Sequence, residues 1–157
     1  MYYFIIQTVI ISILVTLYHF IYRIIIGETV SRIDTSKPIN YNSILLYKFK
    51  FEKPLYDFLK VKMWKDKMIT AKPYKFDIYK RSLTDILKSM IIAEKIHIIC
   101  FFLSYLPLLL IIPYDSPLAF IITSFLASII DLIYVIIQRY NIPRVLNLLD
   151  SHSWPIP

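Results

Sequence analysis

Apolar residues gather in three blocks along this chain, 3–26, 91–112 and 118–137, each close to the roughly 20 residues needed to cross a hydrocarbon core. Between the first two lies a polar, lysine-rich stretch, 27–88. The pattern predicts an all-α integral membrane protein forming a single membrane domain over 1–157. Its transmembrane helices would cover 3–26, 89–112 and 118–138, with a basic loop over 27–88 and a tail over 139–157. No Lys or Arg precedes the first block and no small-residue cleavage site follows it, so a retained anchor is expected rather than a signal peptide. Pro113 and Pro117 bracket a short turn, which makes the second and third helices antiparallel neighbours.

Inside the loop the period changes. Tyr47, Phe49 and Phe51 alternate with Lys48 and Lys50, a period of two that predicts a short strand or extended piece. From Pro54 onward Leu55, Phe58, Leu59 and Met63 share one helical face, with Asp57 and Lys60 elsewhere and Trp64 near the end. Such a helix lies in the membrane interface or docks on the spans. A further amphipathic helix is predicted to start near Ser82, with Thr84 and Asp85 in its first turn, and to run on into the second block.

Composition supports the membrane reading: 57% of the 157 residues are hydrophobic, against about 45–50% in soluble domains. Net charge is +7, and 14 of the 18 Lys and Arg lie between positions 28 and 88. Short loops rich in Lys and Arg stay in the cytoplasm. The loop and C-terminus are therefore expected inside a bacterial cell membrane, multi-pass, with the N-terminus outside. The basic face is expected to meet membrane lipids through their anionic headgroups, with no nucleic acid as partner. Cys100, the single cysteine, excludes an internal disulfide and is expected to serve packing.

Ionisable groups inside apolar blocks are the candidates for chemistry. Glu94 and His97, three apart, share a helical face and have the types of an orienting carboxylate and a general base; the same spacing also makes a structural pair in helix bundles. Asp131 lies in the third block. At that block's end stand Gln138, Arg139, Tyr140, Asn141, Pro143 and Arg144; the arginines suit a span's cytosolic end and dipole, while Gln138, Asn141 and a stop at Pro143 predict a shaped turn. A lone glycine, Gly27, excludes a phosphate-cradling glycine loop and a nucleophile elbow. No Cys/His cluster has metal spacing, and His19 is expected to be structural.

Three stretches carry a resemblance. "QRYNIPR" (138–144) is similar to the Q-R-Y-N-R-P-R signature of the glycosyl-4,4'-diaponeurosporenoate acyltransferases, "VKMWKDKM" (61–68) to their W-K-D/H-K motif, and "AEKIH" (93–97) to their A-E-L-I/V-H. "FEK" at 51–53 is a further landmark, and the order and spacing fit over roughly residues 45–147. The resemblance implies transfer of a fatty acyl chain to the sugar hydroxyl of a lipid-embedded glycosyl carotenoid, towards a staphyloxanthin-like pigment.

Position by position it implies His97 and Glu94 as catalytic, and Trp64, Lys65, Asp66, Lys67, Gln138, Arg139, Tyr140, Asn141 and Arg144 as substrate-binding. In that scheme Glu94 orients His97, Arg139 with Asn141 binds an oxyanion or the donor's phosphate, and the lysines hold an acidic carrier. No cofactor or metal is implied; an acyl donor such as acyl-CoA or acyl carrier protein is the co-substrate. The chain departs from the family at Ile142, where an Arg is usual, at 89–92, which read Ser-Met-Ile-Ile where E-T-x-R is usual, and at Asp131, where Asn is usual. Those departures leave open a non-catalytic membrane protein of accessory or immunity type that binds anionic lipid or partner helices.

Overall fold

The computed structural model describes residues 2–70, 72–114 and 116–152. Among them the protein is all-α, with helices α1 (Tyr2–Thr35), α2 (Glu52–Phe58), α3 (Val61–Trp64), α4 (Leu83–Leu103) and α5 (Pro117–His152), joined by short 3-10 turns. Among the described residues, α1 and α5 are the two helices both long and apolar enough to cross a membrane. The chain divides into two compact units, 1–33 with 95–134 and 34–94 with 135–157.

In the first unit α1 buries a stripe, Ile11, Val15, His19 and Tyr22, and leaves Ile10, Ile13, Leu14, Leu17, Ile21 and Ile24 exposed. A helix apolar all round with one buried stripe suits a lipid environment. The stripe packs through Ile11 and Val15 against Ala119 and Phe120 of α5. The helix expected over 89–112 stops at Leu103 and gives way to a 3-10 turn over Leu106–Leu110. Pro107 explains the break, since it cannot supply the N–H that the Leu103 carbonyl would accept in a continuing helix. Tyr18 Oη donates to that carbonyl instead, at 3.3 Å. Beside it Tyr22 Oη lies 2.8 Å from Ser104 Oγ and 3.2 Å from the Cys100 carbonyl. Tyr105 Oη, 2.9 Å from Ser128 Oγ, ties the turn to α5.

In the second unit Ile86, Leu87 and Met90 of α4 form a core with Ile142 and Val145 of α5. Ser82 caps α4 as its position predicts, its Oγ accepting from the Asp85 N–H at 3.1 Å and donating to the Asp85 carboxylate at 2.8 Å. Three expectations are corrected here. Residues 47–49 form no strand, although the rings of Tyr47, Phe49 and Phe51 do pack successively. The helix expected from Pro54 breaks into α2 and α3 at Lys60, whose φ of 51° is left-handed. Pro143 stops nothing: α5 runs through it to His152, held by the packing of Ile142 and Val145 on either side. The tail beyond His152, residues 153–157, lies outside the described residues.

Candidate functional site

The second unit is organised on Arg139, half-buried early in α5's share of it. A guanidinium carries five N–H donors in a planar fork. Here Nε donates to Glu52 Oε1 at 3.0 Å, Nη1 to the Leu45 carbonyl and to Glu94 Oε1, both at 3.2 Å, and Nη2 to the Tyr47 carbonyl at 2.6 Å and to Glu52 Oε1. The Phe49 ring lies 5.3 Å from its carbon. All five donors are engaged. Glu52 and Glu94 are almost completely buried, so Arg139 is what permits two carboxylates to leave water.

One residue further on, the Tyr140 ring carries Arg144 stacked at 3.6 Å, Lys65 Nζ at 6.0 Å and Tyr56 edge-on at 5.5 Å. Burial, reinforced by the Glu52 carboxylate, pushes the Tyr56 hydroxyl up to about 12, so it stays a neutral phenol. Arg144 is exposed, and of its donors Nη1 is engaged by the Tyr140 carbonyl at 2.9 Å. Lys65 also pairs with the exposed Asp66 at 2.6 Å. Trp64 donates its indole N–H to the Leu59 carbonyl at 2.9 Å, closing the end of α2. Lys67 is exposed, Asn141 is half-buried, and Gln138 is buried with its Oε1 unpartnered among the described residues.

The first unit has a different polar node. Asp131 of α5 is fully buried, and its Oδ1 lies 3.0 Å from His97 Nδ1 of α4. The His97 ring stacks on Tyr134 at 4.7 Å, and its side chain keeps 25% exposure. Arg23 of α1 donates Nη2 to the other Asp131 oxygen. The three-residue spacing pairs Glu94 with His97; the structure gives each another partner, Arg139 and Asp131 respectively. A buried carboxylate is held by the cation that neutralises it, and no spacing within α4 reveals a partner on another helix.

Sequence reasoning passed over Arg23, Glu52 as an ion-pair partner, and Tyr56. A signal for Arg23 does exist: it is the one charged residue in the first apolar block, as Asp131 is in the third, and opposite charges in two such blocks pair. Among the described residues no cluster of His, Cys, Asp and Glu could hold a metal.

The family model CrtO, glycosyl-4,4'-diaponeurosporenoate acyltransferase, matches residues 40–151. The chain belongs to this family. No curated protein and no solved structure matches it. The CrtO match takes in α2 to α4 and nearly all of α5, and with them Glu52, Glu94, His97, Asp131 and Arg139; α1, and Arg23 with it, lies outside the matched residues.

Proposed function

We propose that this CrtO-family protein transfers a fatty acyl chain to a sugar hydroxyl of glycosyl-4,4'-diaponeurosporenoate or a related glycolipid in the bacterial cell membrane. The observation that carries the reading is the family match over 40–151, with an imidazole inside it anchored at one nitrogen. A carboxylate at Nδ1 favours the tautomer whose Nε2 is a base. His97 Nε2 takes the acceptor hydroxyl's proton, the oxygen forms an ester bond to the acyl carbon, and the donor's C–S bond breaks. The proton passes from Nε2 to the departing thiol of an acyl-CoA or acyl carrier protein.

Asp131 takes the orienting role that spacing assigns to Glu94, and Glu94 with Glu52 serves to fix Arg139. The exposed Arg144 and Lys67, with the half-buried Lys65 beside them, are the cations with capacity for a donor's phosphate, and Trp64, Asp66, Gln138, Tyr140 and Asn141 shape the ground they stand on. In this reading α1 and α5 cross the bilayer, α4 with its 3-10 turn makes a third crossing, the N-terminus is outside, and the loop 27–88 and C-terminus are cytosolic. The exposed Phe58 and Met63 beside Lys60 and Lys62 suit an interfacial position for that loop.

The test is expression in a host that accumulates glycosyl-4,4'-diaponeurosporenoate, with mass spectrometry for an added acyl chain. A gain that disappears in His97→Ala supports both reaction and base. A second reading, a non-catalytic lipid- or helix-binding protein, draws on the full engagement of Arg139, which suits a scaffold. Such a protein tolerates loss of His97 and fails when Lys65 and Lys67 are neutralised.

A further inference from the structure

Arg23 does more than face Asp131. Its Nη1 donates to the His19 carbonyl at 2.6 Å, and its Nη2 donates to the Ala127 carbonyl at 2.9 Å as well as to Asp131. Nε reaches Asp131 Oδ1, the oxygen that His97 also contacts, at 3.4 Å. One guanidinium thus joins α1 to α5 and shares a carboxylate oxygen with the imidazole. Asp131 has no exposure and Arg23 keeps 23%, so the ion pair is closed on its acidic side.

Charge balance gives this arrangement a consequence. A fully buried carboxylate needs one compensating positive charge. With Arg23 present that charge is supplied by a guanidinium, a group that does not give up its proton, and the imidazole is not called on to provide it. Without Arg23 the nearest group able to supply it is His97 itself, and a protonated imidazole accepts no proton.

We infer that Arg23 is a positioning residue that acts through Asp131 on His97, fixing the ring and keeping it in its neutral form. The inference rests on the reading of His97 as base. The titratable or charged groups around the node within its unit are His19, Tyr22 and Arg23 on α1, Cys100 on α4, and Tyr134 on α5. Of these only Arg23 brings a fixed positive charge.

The experiment compares Arg23→Gln, Asp131→Asn and the double variant Arg23→Gln/Asp131→Asn by acyl transfer in isolated membranes, across pH, with inserted protein quantified. Expected is a loss on the order of a hundredfold for Arg23→Gln at neutral pH, the lower end of what a general base contributes. That loss should shrink as pH rises and the imidazole sheds its proton. The double variant should match Asp131→Asn in rate and pH profile, because Arg23 has nothing left to neutralise.

Unchanged turnover in Arg23→Gln, a loss that is flat across pH, or a double variant worse than Asp131→Asn would each overturn the inference. If Arg23→Gln does not insert, the comparison of Asp131→Asn with the double variant decides alone. Failure of the wild-type protein to acylate at any pH would instead remove the functional reading on which it rests.

Discussion

The two polar nodes are inversions of one another. In the second unit a single cation, Arg139, holds two buried acids; in the first a single buried acid, Asp131, holds a cation and an imidazole. Arg139 has every donor in use, whereas His97 is held through one ring nitrogen and keeps a quarter of its side chain exposed. A fully engaged group fixes backbone and neighbours; a partly engaged one has capacity for a reactant. By that criterion Arg139 reads as scaffold, and His97 is the group that the proposed reaction can use.

The largest way to break this contrast is Arg139→Leu. It strands Glu52 and Glu94 in the interior and should cost about 3–5 kcal/mol, read as loss of inserted protein and a lower melting temperature in detergent. Normal accumulation with turnover alone abolished would put Arg139 in the chemistry and end the distinction. His97→Ala should do the reverse, lowering acyl transfer by at least about 10²-fold with insertion and melting unchanged. A smaller effect is expected at the Tyr140 platform. Arg144→Ala removes an exposed cation–π contact of about 0.5–1 kcal/mol and should raise the donor's KM several-fold at low salt, with the gap narrowing as salt screens it.

The smallest effect sharpens the comparison from outside both nodes. Gly27 lies inside α1 with nothing within 4 Å of a Cβ placed there. Gly27→Ala should therefore stabilise the protein by about 0.5–1 kcal/mol and leave the pH profile of transfer unmoved. A changed profile would mean that the first unit's node responds to α1 as a whole and not to Arg23 alone.

What the chain made legible followed from local pattern. The apolar blocks mark α1 and α5, and Ser82 with Asp85 marks the start of α4, because length, hydropathy and capping act within a few residues. Helix ends were harder: Pro107 ends α4 some way before the apolar run does, and Pro143 leaves α5 unbroken where a core grips both sides. The nodes were legible as residues and not as pairs. Arg139 and Glu52 are 87 positions apart, and His97 and Asp131 34 apart. Glu94 and His97 look paired because helical spacing is the one distance a sequence displays, and buried charge follows its counter-charge wherever the fold brings it.

Ile142 ties two distant stretches of the chain together. It is almost wholly buried and shares its cluster with Met90, so two of the positions where this chain departs from the resemblance, one on α4 and one on α5, meet in one patch of oil. A guanidinium placed at 142 would arrive among Ile86, Leu87, Met90 and Val145 and lose its water there. The two positions therefore answer to a single dry patch, and each is part of the other's surroundings.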